Sequence, residues 1–230
     1  MQPHTRRYLK GWALLALGVG GGVAATPAEQ AADLLRSVQG TFTADFDTLP
    51  VGQRVAQVAL GQGVSGSGIG AVLGGIDGEN VVRVAAQRRG REGDSNRAMT
   101  FDAECGGSPE GCSGNDDDLY NPGQGNLLIV SQDNNPDDPN DNHGGGHIDF
   151  DFSGFGPGRV NVTSLEVFDV SHGGATVTLY ADGERVEEIP IERGGTGERT
   201  TVEVNTPGVD LLRVTVADSF AVDNLVFEVQ

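Results

Sequence analysis

His147-Ile148-Asp149-Phe150-Asp151-Phe152 decides the fold class. Successive side chains of a strand point to opposite faces, so Ile148, Phe150 and Phe152 share one side and His147, Asp149 and Asp151 the other. One face is expected in a core and the other in water. Forward of it the pattern continues in VNVTSLEVFDV (160–170), ATVTLYAD (175–182), VEEIPI (186–191), TTVEVN (200–205), LLRVTVAD (211–218) and LVFEV (225–229). Turn formers separate these runs: His172-Gly173-Gly174, Asp182-Gly183 and Gly194-Gly195-Thr196-Gly197. Asp182-Gly183 predicts a tight hairpin, because that pair accepts the positive φ angles such a turn needs.

Backward of it, Glu104 to Gly146 is nearly all turn formers except Leu127-Leu128-Ile129-Val130, which predicts two long loops around one buried strand. Residues 61–78 are glycine-rich, and glycine has no side chain to pack, so a loose edge or loop is expected there. Helical spacing is confined to Ala28–Val38. From Phe42 onward short Val-, Ile-, Thr- and Phe-rich runs between turn clusters are the pattern of a sandwich or barrel.

The first residues, MQPHTRRYLKGWALLALGVGGGVAATPAEQ, place Arg6, Arg7 and Lys10 ahead of an apolar run that ends in small residues. That is the layout of a secretory signal peptide over 1–25, with cleavage after Ala25. The run falls short of the roughly 20 apolar residues of a spanning helix, and no later stretch replaces it, so no transmembrane segment is expected after cleavage. A leader or short helix over 26–40 and one β-domain over 41–230 then account for the chain.

The formal net charge of −18 becomes about −21 once three of the basic residues leave with the signal, which disfavours nucleic acid and anionic membranes as partners. Cys105 and Cys112, with six residues between them in a Gly/Ser/Pro-rich segment of an exported chain, predict a disulfide that staples a loop.

Acidic residues crowd between Asp102 and Asp141, where they repel one another unless the segment is solvated and flexible or binds metal. Calcium takes about six to eight oxygens in irregular geometry, which suits such loops. The candidate ligands are Asp45 and Asp47, Asp102, Asp116 to Asp118, Asp137 and Asp138, and Asp223. Asp223 shares the parity of Leu225, Phe227 and Val229, so its carboxylate points toward the core. A buried carboxylate needs a cation, a basic partner, a backbone turn or a proton. No EF-hand forms from Asp133 onward, since Asp138 stands at the turn-glycine position. His143, His147 and His172 lack the frame of a zinc motif, and the glycine-flanked Ser65 and Ser67 lack a nucleophile elbow. A hydrolase using loop carboxylates from Asp102 to Asp118 is the alternative to a non-catalytic binding module.

In order, FDTLPVGQRV, AMTFDAE, GNDDDL, GNLLIVSQD, PDDP, GGGHIDFDF and SFAVDNLVFE together resemble bacterial exported β-sandwich proteins of unknown function, many with PEP-CTERM sorting tails. The resemblance spans most of residues 42–230. It implies an all-β, jelly-roll-like antiparallel sandwich with long acidic loops. It also implies metal-binding positions at Asp47, Asp102, Asp116, Asp118 and Asp223, for which the loop carboxylates make calcium the expected cofactor. The sequence shows no Pro-Glu-Pro motif before Gln230, which points to a secreted, periplasmic or cell-surface protein without covalent sorting. Extracellular polysaccharide or protein is the expected partner.

Overall fold

The computed structural model describes residues 38–60, 62–69, 80–91 and 93–230. The expected signal peptide and nearly all of the expected leader lie outside them; among the described residues strand pairing begins at Gln39. Thirteen strands follow: β1 (Gln39–Ala44), β2 (Gln57–Leu60), β3 (Gly63–Ile69), β4 (Val82–Arg88), β5 (Ala98–Asp102), β6 (Asn126–Val130), β7 (Gly146–Asp151), β8 (Val160–Phe168), β9 (Ala175–Ala181), β10 (Glu184–Ile191), β11 (Arg199–Thr206), β12 (Leu211–Val216) and β13 (Ala221–Val229).

They form a jelly-roll-like sandwich. One sheet runs β10-β9-β12-β7-β4-β2. The other places β8 and then β11 on one edge of β13. The opposite edge of β13 is shared by β6, which pairs with Ala221 and Val222, and β1, which pairs with Leu225–Val229. Outside these lie β5 and β3. Chain crossings between the sheets from β7 to β13 give the wrapped order, and β2 joins the sheets by pairing with both β3 and β4.

The alternation of residues 147–152 behaves as the sequence dictates: Ile148, Phe150 and Phe152 are buried, while His147, Asp149 and Asp151 face outward. The center of the main core is Phe227, whose ring lies 5.3–5.7 Å from those of Phe42, Phe152 and Phe155. Asp182 (φ 52°) and Gly183 (φ 79°) make the expected β9–β10 hairpin. The glycine-rich stretch does more than expected, since Gly63–Ile69 pairs with β1 along its length. A Cβ on Gly66 would sit 2.9 Å from the Phe42 Cα, so the missing side chain is what admits this strand against β1.

A second buried cluster lies under the long loops: Met99, Phe101, Leu119, Leu127, Ile129, Phe168 and Ala221, with Cys105 at its margin. It anchors the loop between β5 and β6, whose short 3-10 turns would otherwise have no hydrophobic hold on the sandwich. This is what positions the acidic residues.

Candidate metal centre

The loop after β5 leaves the sheet at Ala103 and is closed on itself by the Cys105–Cys112 disulfide, as the sequence predicts. Its last turns, Ser113–Asn115 and Asp117–Leu119, set Asp116 against the loop that follows β6 and Asp118 beside Asp169, just after β8. The two loops are sewn together: the Gly114 amide donates to Asp138 Oδ1 (2.8 Å), and Asn140 Nδ2 donates to the Gly114 carbonyl (3.3 Å). Asp141 thereby arrives against Asp116, whose Oδ2 accepts the Asp141 N–H at 2.7 Å. Asp141 Oδ2 accepts the Ser219 hydroxyl and the Phe220 N–H, which ties in the turn before β13. Asp169 follows β8 with φ 58°, and its Oδ1 accepts the Gly197 N–H at 3.0 Å.

Four carboxylates from three chain segments therefore converge. Asp116 and Asp141 are 1% and 0% exposed, yet each keeps an Oδ1 with no hydrogen-bond partner, and Asp118 Oδ1 is likewise buried and unpartnered. Burial pushes the carboxyl groups of all four upward, and they reinforce one another: the Asp141 charge on Asp116, the Asp169 charge on Asp118, and the Asp141 charge on Asp169. His143 Nε2 stands 4.0 Å from Asp116 Oδ1 on the solvent side. Ligand atoms of Asp116, Asp141 and His143 lie within 4.8 Å of one another. An uncompensated charge of this kind is removed by protonation or by a cation. The donor set is mostly carboxylate oxygen on loops, the chemistry of calcium rather than of zinc or copper.

Of the residues singled out in the sequence, Asp116 and Asp118 belong to this cluster. Asp102 does not: it is partly exposed, and its Oδ1 caps the Glu104 N–H (2.9 Å) at the loop entrance. Asp47 and Asp223 lie together elsewhere, with Asp45 and Glu166. Asp133 and Asp138 accept backbone N–H groups at the loop surface. His147 and His172 face Asp149 and Asp218, so the three histidines do not meet. Asp169 and Ser219 carry no signal in the sequence: Asp169 reads as part of the strand run 160–170, whereas the strand ends at Phe168, and Ser219 stands just after the run 211–218. Asp141 was visible among the crowded acids but indistinguishable from its neighbours.

A second feature occupies the outer face of the sheet that contains β7. Register aligns Arg83, Asp151, Leu211 and Tyr180 in one row and Ala85, Asp149, Arg213 and Thr178 in the next. Arg213 grips Asp149 with two hydrogen bonds of 2.6 and 2.7 Å, and Arg83 lies 3.7 Å from Asp151. The small Ala85 leaves a cleft of about 760 Å³ between these side chains.

No protein-family model matches the chain, and no curated protein does. Solved structures overlap it in part. The family 32 carbohydrate-binding module of Clostridium perfringens NanJ, solved with galactose, is 12% identical over 64% of this chain and 93% of its own, with a TM-score of 0.29. A family 29 carbohydrate-binding module variant gives 12% identity, 64% and 92% coverage and a TM-score of 0.29. An F5/8 type C domain from Bacteroides fragilis gives 16%, 38%, 67% and 0.25.

Proposed function

We propose that this chain is a non-catalytic, calcium-binding β-sandwich of the cell exterior that holds an extracellular polysaccharide. The observation that carries the proposal is the convergence of Asp116, Asp118, Asp141 and Asp169 with three buried carboxylate oxygens lacking partners. Bound there, calcium joins the two loops to each other and to the ends of β8 and β13, converting a self-repelling cluster into a rigid rim. Burial weighs against the hydrolase alternative, because the carboxylates of Asp116 and Asp141 are closed to a substrate and Asp102 is occupied as a cap.

Export is supported by the N-terminal layout and by a disulfide, which persists in oxidising compartments. Among the described residues no helix is long and apolar enough to cross a membrane. The cleft on the outer sheet face suits a sugar chain: paired planar ions offer hydrogen bonds in fixed directions, Tyr180 offers a ring, and the ion pairs leave no large net charge.

Thermal unfolding in calcium, in magnesium and after calcium stripping tests the metal. A site filled at a hundredfold excess over its dissociation constant adds about 2.7 kcal/mol, a shift of several degrees. The same midpoint in all three overturns the calcium proposal. Affinity electrophoresis through gels containing different polysaccharides tests the ligand: retardation lost in Arg213→Ala is expected, and unretarded migration through every gel contradicts that part.

A further inference from the structure

The outer face of the sheet that contains β7 continues past the cleft. Beyond the row of Ala85, Asp149, Arg213 and Thr178, the next outward row is Gln87, His147, Thr215 and Thr176. Pairing persists after β4, where the Arg89 N–H donates to the Gly145 carbonyl at 3.1 Å, so Arg89 keeps the parity of Ala85 and Gln87 and stands on the same face. Here a second pocket of about 340 Å³ opens, lined by Arg89, His147 and Thr215 and walled by the small residues Gly146, Gly174 and Ala217. That volume is at the small end of the range for ligand pockets. His147 and Asp149 are successive outward residues of β7, about 7 Å apart along the strand. Their side chains approach to 4.0 Å, and one lines the pocket while the other lines the cleft, so the two depressions adjoin.

The pocket differs from the cleft in charge. In the cleft Arg213 and Arg83 face Asp149 and Asp151. At the pocket, residues 88–97 carry four arginines against Glu92 and Asp94, in a chain whose formal net charge is −18. Asp94 is engaged by Arg88 and Arg97, at 2.6 and 3.7 Å. Two acids border the pocket, and both have partners: Asp149 is gripped by Arg213, and Asp218, next in sequence to Ala217, lies 3.2 Å from His172. Arg89 is exposed and, among the described residues, enters no ion pair. Its guanidinium is thus the uncompensated charge of the pocket.

Resting on the polysaccharide reading above, we propose that the ligand is an anionic polysaccharide: an uncharged stretch of its chain lies in the cleft, and a carboxylate or sulfate on an adjoining sugar enters the pocket and pairs with Arg89. A guanidinium presents a planar fork of donors that matches the oxygens of either group. The small walls leave room for a substituent that projects from a sugar ring. An acidic protein otherwise repels such a polymer, so this opening also sets which way the chain runs across the sheet.

The test is binding of the full-length protein, at fixed ionic strength, to immobilised polymers matched in backbone: dextran, carboxymethyl dextran and dextran sulfate, and hydroxyethyl cellulose with carboxymethyl cellulose. An anionic member is expected to bind about tenfold or more tighter than its neutral counterpart. Arg89→Ala is expected to remove that difference. Arg199→Ala, which takes an equal charge from the other sheet, is expected to keep it. Gly174→Asp is the companion variant should Arg89→Ala fail to give a wild-type circular dichroism spectrum; a Cβ there meets nothing within 4 Å, and the added carboxylate at the pocket wall is expected to remove the difference as well. A preference for carboxylate over sulfate, or the reverse, names the substituent and upholds the proposal either way. Equal binding of neutral and anionic members overturns it and leaves the polysaccharide reading intact. So does an anionic preference undiminished in Arg89→Ala, or in Gly174→Asp where that variant stands in. Binding to no polymer, charged or neutral, contradicts the polysaccharide reading and this proposal with it.

Discussion

Removing calcium and raising the pH should unfold this protein. Burial raises the carboxyl of Asp223 to about 9 in the folded chain, against about 3.9 for an unperturbed aspartate. Between those values the folded state keeps a proton that the unfolded state has released, so stability falls as pH rises, by about 1.4 kcal/mol per unit for each such proton. From roughly pH 5 to pH 8 Asp223 alone then costs the calcium-free protein about 4 kcal/mol. The Asp116, Asp118, Asp141 and Asp169 carboxyls are raised in the same direction and steepen the slope. Total stabilities of domains are about 5–15 kcal/mol, so the stripped protein should be marginal or unfolded at pH 8. In the proposed Asp116 site calcium would take the place of the retained protons, so its presence should lessen the slope, and its stabilising effect should shrink toward pH 5 as protons compete. Urea midpoints at four pH values, with and without calcium, read this directly. A stripped-protein midpoint that is flat or rises from pH 5 to pH 8, or that falls equally with calcium present, refutes the reasoning.

Asp116→Asn keeps the shape and removes one buried charge; the stripped variant should gain about 1–3 kcal/mol over stripped wild type at pH 8 and lose the calcium response of that site, both visible in urea unfolding. Reduction of Cys105–Cys112 opens a short loop, which should lower stability by about 2 kcal/mol and weaken calcium binding by loosening the segment that carries Asp116 and Asp118, as calcium titration before and after reductant would show. Phe227→Ala removes the ring shared by Phe42, Phe152 and Phe155, with an expected cost of about 3–5 kcal/mol by chemical denaturation in calcium.

The sandwich was legible because half-buried strands write a two-residue period: residues 147–152 alternate in the structure as they do in the sequence. The hairpin at Asp182-Gly183 and the burial of Asp223 were legible for equally local reasons, turn chemistry and side-chain parity. The course of β3 was not, since what favours it is a close approach between Gly66 and Phe42 that no local preference encodes. The buried acidic cluster was half legible. The sequence shows acids crowded in the loops, but Asp116 meets Asp141 through loop-to-loop hydrogen bonds, and Asp169 joins from the end of β8, contacts that only the tertiary fold creates. Asp102 shows the converse: a carboxylate in the right neighbourhood can be spent on its own turn.

The most direct test is a crystal structure of the protein grown with calcium near pH 7.5, read for anomalous density at the Asp116 cluster. The account predicts a peak about 2.3–2.6 Å from Oδ1 of both Asp116 and Asp141, with Asp118 turned toward it. Carboxylates bridged by hydrogen bonds to one another or to water, with no ion between them at saturating calcium, would contradict it.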